Sequence, residues 1–450
     1  MIALVAAVSL NQWTIGYLAT KDGTIDEPVI RWAIGLFEVV LLLWGLWLLM
    51  RRRTADLKAV AFRCIAVFIS IVLLECVLRV VHVVEEAVRG GPPPKYMLSP
   101  YQGKEWAYRL FTEADNVHQQ EGRFRYHPLL GWDTAEFHGE FVNVDANGVR
   151  RGWNPELPPG AAAPSIYVFG GSTTWGVAVR DEDTIPSRLS KLLNGRGHQV
   201  VVYNYGDIAY SFIQEVVNLM LLLKAGHRPD WVVFYDGVND TYAAYRDGVP
   251  GSILDLFETS EGFGQRMRPV DHFLAGVRIL LVKHCMIYHY LYRLCNPPGE
   301  TPRFAEVGAR LDDDQLRDLA EGIADYYATS YELLEVLAQA YGFQYLAFWQ
   351  PVSLTEDHLF EEEKTDFRTG DDALRKTHLY VRESLKSKGL PNFYDISDVL
   401  RDRTKTTYID YCHLTVEGNA VVAARIGDVI EAKLHKLDHA GEKSSTTHTR

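Results

Sequence analysis

Cysteine is scarce, and the five present, Cys64, Cys76, Cys285, Cys295 and Cys412, follow no metal-binding spacing. Without a zinc-type His or Cys cluster, the chain implies neither a metal nor a cofactor. Cys285 and Cys295 are spaced so that a disulfide is open in an oxidising compartment. Positive charge is also in deficit. Lys and Arg number 46 against 58 Asp and Glu, and beyond residue 100 the count is 36 against 50. An acidic body of this kind excludes a nucleic-acid binder. A basic n-region is missing from residues 1–19, and Asn11 and Gln12 interrupt that stretch, so it reads securely neither as a signal peptide nor as a span.

Apolar residues, by contrast, are concentrated near the N-terminus. Residues 28–50 and 59–84 are each near or above the ~20 apolar residues that cross a bilayer. Between them lies RRRTADLK, half of it basic, which places that short loop in the cytoplasm. Two spans, or three if residues 1–19 also cross, then leave the large domain on the extracytoplasmic side of the cytoplasmic membrane. The expected organisation is a membrane anchor over 1–88 and a Gly- and Pro-rich linker with a small β appendage over 89–160. A catalytic-type domain follows over 161–437, interrupted by an insertion at 241–312, and 438–450 form a disordered tail. Glu75 lies inside the second span, where a charge needs a partner, and Arg79 stands four residues on.

From residue 164 strand-like runs alternate with helical patterns. The runs are SIYVFG (165–170), QVVVYNYG (199–206), DWVVFYDG (230–237), FQYLAFWQP (343–351) and NFYDIS (392–397). Strands apolar on both faces, separated by amphipathic helices, predict a mostly parallel, doubly wound sheet. In such sheets ligands bind beyond the carboxyl ends of the strands. The insertion carries an apolar helix that reads as a lid, a membrane-surface element or a core helix. The acidic stretch 352–370 reads as a solvated loop.

Several strand ends carry chemistry. Gly170 and Gly171 allow a sharp turn after the first strand and bring Ser172 to the sheet edge with its N–H free. Gly206 ends the second strand, and Asn239 follows the third in GVND. Together with the Ser172 N–H they offer three donors for an oxyanion, each of them also an ordinary turn residue. Asp410 and His413 are three apart just before a helix that Thr415 can cap. A tight turn there lets Asp410 hold Nδ1–H of His413, leaving Nε2 for Ser172.

These blocks, GGSTTWG, Gly206, GVND and DYCH, taken in order over residues 164–437, resemble the SGNH (GDSL-type) serine esterases and acyltransferases. The acid of the GDS signature is Gly171 here. The segment LLGWDTAEF to VNVDANGVRRG is similar to the lead-in of membrane-tethered bacterial members. The resemblance implies a flavodoxin-like three-layer α/β/α sandwich around a five-stranded, mostly parallel sheet, preceded here by the transmembrane helices. It also implies a Ser172, His413, Asp410 triad, with Gly206, Asn239 and Ser172 itself as the oxyanion hole. The expected activity is hydrolysis of acyl or acetyl esters on a carbohydrate or lipid. The alternatives are an O-acyltransferase acting on an envelope polysaccharide, fed by a membrane acyl-donor partner, and a non-catalytic scaffold on the same fold.

Overall fold

The computed structural model describes residues 39–40, 43, 57–89, 99–101, 104–119, 124–158, 162–254, 277, 280–282, 284–295, 306–365 and 371–446. The chain divides into two compact units, Met1–Gly91 with Phe257–Arg303, and Pro92–Leu256 with Phe304–Arg450. The insertion expected at 241–312 is therefore shorter, because its two ends belong to the second unit.

In the first unit helix α1 (Leu57–Arg89) contains Ile65–Val84, a stretch of mean hydropathy 2.4 that is long and apolar enough to cross a membrane. The expected first span, 28–50, lies outside the described residues except at 39–40 and 43, and 1–19 lies wholly outside them. Glu75 meets Arg79 at 2.9 Å, as its helical spacing predicts. It also accepts the N–H groups of Met286 (2.9 Å) and Ile287 (3.0 Å). Met286 opens a second apolar helix, α7 (Met286–Cys295), within the insertion. Cys285 carries a free thiol, so the disulfide with Cys295 is not formed.

Near the start of the second unit, where the sequence predicts a linker and small β appendage, stands helix α2 (Glu105–Gln119). Ala107, Leu110 and Phe111 recur at helical spacing and are buried, so the period was present in the sequence. Two short hairpins follow, β1 (Phe124–His127) with β2 (Gly131–Thr134), and β3 (Phe137–His138) with β4 (Asn143–Val144). The region expected to be a β appendage is thus part helix. It packs into the main unit: Ala107 and Phe111 share a cluster with Ala178 and Ile409, and Leu110 shares one with Val142, Val144 and Trp175.

The main sheet has five parallel strands, β5 (Ser165–Gly170), β6 (Val201–Asn204), β7 (Trp231–Asp236), β8 (Gln344–Trp349) and β9 (Phe393–Asp395). They lie in the order β6-β5-β7-β8-β9. Alternate residues face opposite sides. Tyr167, Phe169, Val232 and Phe234 pack under α5 (Phe212–Lys224), α8 (Asp313–Tyr341) and α9 (Asp372–Lys388). Ile166, Val168, Val233 and Tyr235 pack under α4 (Ile185–Gly195) and α10 (Val416–Thr446). The expected three-layer α/β/α sandwich is therefore the observed fold. The connections leaving β5 and β7 run to opposite faces, so a crevice opens where their carboxyl ends part.

Two expectations are corrected. Helix α10 continues to Thr446, so residues 438–446 are helical and not a disordered tail; extending a formed helix costs far less than starting one. The acidic stretch 352–370 is not simply solvated. Glu363 is fully buried, accepts the N–H groups of Thr407 (2.8 Å) and Tyr408 (3.0 Å), and pairs with Arg403 at 3.0 Å.

Candidate active site

Strand β5 delivers the chain to Gly170, whose positive φ of 155° turns it off the sheet. A Cβ there meets the carbonyl of Tyr235 at 2.7 Å, so only glycine allows the turn this close to β7. Helix α3 (Ser172–Trp175) starts at once and places Ser172 in its first turn, where the N–H has no acceptor within the helix.

Asp410 and His413 arrive from the loop before α10. Asp410 Oδ1 accepts the backbone N–H groups of Cys412 (2.9 Å) and His413 (2.7 Å), which folds the four residues into a turn. Oδ2 then lies 2.6 Å from Nδ1 of His413, and Nε2 of His413 lies 2.8 Å from Oγ of Ser172. Thr415 Oγ1 accepts the Gly418 N–H at 3.3 Å and caps α10. The loop is pinned further by Ile409 N–H to the His413 carbonyl (2.8 Å) and by Ser353 N–H to the Tyr411 carbonyl (2.9 Å).

Charge follows geometry. Burial alone pushes the Asp410 carboxyl up, but the His413 cation and three hydrogen bonds outweigh it and hold Asp410 down to about 2. Burial pulls the His413 imidazole down, and the adjoining Asp410 carboxylate more than reverses this, so His413 stays well above its ordinary value. An ionised carboxylate on Nδ1–H fixes the tautomer that leaves Nε2 facing the hydroxyl.

The remaining site residues divide. Asn239 lies in the first turn of α6 (Val238–Asp247), and its Nδ2 donates to the Tyr210 carbonyl at 2.7 Å. A Cβ on Gly171 collides with that same Nδ2, so the amide sits directly beside the residue preceding Ser172. Gly206 is a correction. Its N–H donates to Asn204 Oδ1 at 3.0 Å and is already engaged. Its role is close approach: a Cβ there lies 2.5 Å from Trp175 N and 2.8 Å from Thr174 Cγ2. Three residues on, Ala209 is one of three non-glycine residues with positive φ (64°) among those described, and its N–H makes no hydrogen bond among them. Nothing in the sequence marks Ala209, since alanine carries no signal of a left-handed conformation; only the fold imposes it.

The cluster Asp410, Cys412 and His413 is the one group of potential metal-binding side chains among the described residues. Its atoms are already committed to one another and to Ser172, which fits proton transfer better than metal binding.

No family model matches the chain, and no curated protein matches it. Solved structures similar to it include an acetyl xylan esterase (15% identity, TM-score 0.32, covering 59% of this chain and 99% of that one). Others are a lipolytic G-D-S-L family member from Veillonella parvula (13%, TM-score 0.32, 59% and 98%) and a carbohydrate acetylesterase from Sinorhizobium meliloti (15%, TM-score 0.32, 60% and 99%). Five parallel strands in the order β6-β5-β7-β8-β9, with Ser172 at the end of β5, Asn239 beyond β7 and the Asp410–His413 turn before α10, give the chain the SGNH-type α/β/α fold that the resemblance of its sequence blocks implies.

Proposed function

We propose that the chain is a serine ester hydrolase whose nucleophile is Ser172. The observation that carries this reading is the unbroken relay from Asp410 Oδ2 to His413 to Ser172 Oγ, with steps of 2.6 and 2.8 Å. In the reaction His413 takes the Ser172 proton as Oγ attacks the ester carbonyl, and the imidazolium is stabilised by Asp410. The tetrahedral oxyanion is held by the Ser172 N–H and the free hydrogen of Asn239 Nδ2, with the unengaged Ala209 N–H replacing Gly206 as the third candidate donor. His413 then returns the proton to the leaving alcohol, leaving an acyl group on Ser172. Water, activated by the same imidazole, releases it.

The substrate class we propose is an acyl or acetyl ester on a carbohydrate or lipid at an envelope surface, with α1 as a membrane anchor and the site on the extracytoplasmic side. The mean hydropathy of 2.4 over Ile65–Val84 supports the anchor. The three solved relatives are named as acetyl ester or lipolytic enzymes, in keeping with the substrate class. A glycan hydroxyl in place of water turns the same cycle into O-acyl transfer, drawing on a membrane acyl donor.

The test is fluorophosphonate labelling of the full chain, with p-nitrophenyl acetate hydrolysis in the presence and absence of an added glycan acceptor. Wild type should label and turn over, and Ser172→Ala should do neither while keeping its unfolding midpoint. Equal labelling of the two sinks the nucleophile assignment. Acyl groups recovered on the glycan in place of acetate move the activity from hydrolase to transferase.

A further inference from the structure

Glu215, in the first turn of α5, is fully buried, and neither of its carboxyl oxygens meets a conventional donor among the described residues. Its carboxyl lies within hydrogen-bonding reach of Asp236, the last residue of β7. Asp236 is buried too; its Oδ1 lacks a donor, and its Oδ2 accepts the Tyr327 hydroxyl at 3.4 Å. The other titratable groups facing the pair are Asp240 on α6, Tyr327 on α8 with Tyr331 beyond it, and Tyr210 just before α5; among the described residues no Lys, Arg or His acts on it. Two buried carboxyls in contact without a cation are satisfied only if a proton lies between them.

We propose that Glu215, as a protonated carboxyl, donates a hydrogen bond to Asp236 and is a positioning residue for Asn239. The chain path explains why. From Asp236 it runs through Gly237 to Asn239, so a shift at the end of β7 moves the amide. Two more bonds tie the same elements: Asp240 Oδ1 accepts the Phe212 N–H at 3.1 Å, and Asn239 Nδ2 donates to the Tyr210 carbonyl at 2.7 Å. Glu215 thus completes a clamp between the 210–215 segment and the first turn of α6. Burial, and then the neighbouring Asp236, hold Glu215 well above the carboxylate range. Burial is also the main cause that raises Asp236 to about 8 and Asp240 to about 6.

The inference rests on the esterase reading, so its test carries one readout that does not. Full-length wild type, Glu215→Gln and Glu215→Ala are compared in detergent from about pH 5 to about pH 9.5 by fluorophosphonate labelling rate and by thermal midpoint. A carboxyl whose folded pKa is raised contributes stability that is lost as pH rises from the unfolded value through the folded one. The wild-type midpoint should therefore fall across this range, and labelling should fall on its alkaline side. Gln keeps a donor to Asp236 but cannot ionise. It should label within about threefold of wild type near neutral pH, with the alkaline fall in both readouts reduced or moved upward by about one pH unit, whereas Ala should label about tenfold more slowly or more. Glu215→Gln curves that superimpose on wild type in both readouts overturn the proposal. A wild type that labels at no pH overturns the esterase reading, and the midpoint curves then decide the shared proton by themselves.

Discussion

The guanidinium of Arg150 lies over the indole of Trp175, 4.3 Å from its centroid, and donates through Nη1 to the Trp175 carbonyl at 2.9 Å. Arg150 is fully buried, and it also donates to the carbonyls of Gly176 and Val179 and pairs with Asp181 at 3.1 Å. A cation from the segment before the sheet therefore holds the far end of the four-residue helix that begins with Ser172. Asn204, which engages Gly206, reaches the same helix end at the Thr174 carbonyl (3.1 Å).

Removing the guanidinium should disorder that helix end. Arg150→Met takes the guanidinium away from the Trp175, Gly176 and Val179 carbonyls and leaves Asp181 with the Asn143 donors alone, and breaking a buried pair costs about 3–5 kcal/mol. Differential scanning calorimetry should show the loss. Arg150→Lys should recover part of the stability but not the planar stack on Trp175, and should label more slowly than wild type.

The ionised Asp410 and the raised imidazole of His413 set the pH response. Catalysis needs neutral His413, and its pKa stands above the ordinary value, so kcat/KM should climb with pH along an acid limb displaced upward from about 6.5. Asp410→Asn removes the cause of that displacement. It should lower kcat by on the order of 10³–10⁴ while the fold persists, because the tautomer is no longer fixed. Activity near wild type in Asp410→Asn excludes Asp410 from the relay.

Gly171 and Gly206 should tolerate no side chain, for different reasons. Gly171→Ala drives Cβ into Asn239 Nδ2 and should reduce labelling sharply with a small change in midpoint. Gly206→Ala meets backbone at Trp175 N and should cost about 1–3 kcal/mol in stability as well as activity.

Ala209→Gly should behave in the opposite sense. Relief of the left-handed strain is worth about 1–2 kcal/mol, offset by about 0.5–1 kcal/mol of added chain entropy in the unfolded state. The expected outcome is unchanged or slightly higher stability with labelling preserved. A pronounced loss of labelling shows that the Ala209 side chain, and not only its backbone, shapes the site.

Glu363 tests the support of the His413 loop. Glu363→Ala leaves Arg403 with one buried carboxylate, Glu356, and frees the N–H groups of Thr407 and Tyr408, just before Asp410. The midpoint should fall by an amount corresponding to about 3–5 kcal/mol, and labelling by Ser172 should fall with it.

The linear sequence by itself determined the parallel sheet, because β5 to β9 are short apolar runs separated by amphipathic helices, and such strands can be satisfied only when covered on both faces. It also determined the turn at Gly170–Gly171 and the Asp410–His413 spacing, since both are local. What only the tertiary structure decided depends on residues distant in the chain. Gly206 reads locally as a donor because a glycine at a strand end looks available; Asn204, two residues earlier, takes its N–H. The inward turn of Glu363, the helix α2 beneath Trp175, the buried Arg150 and the shared Glu215–Asp236 contact are charged or amphipathic features that read locally as solvated. Their partners come from segments tens of residues away, and a buried charge or carboxyl acquires its meaning only from the groups that the fold brings to it.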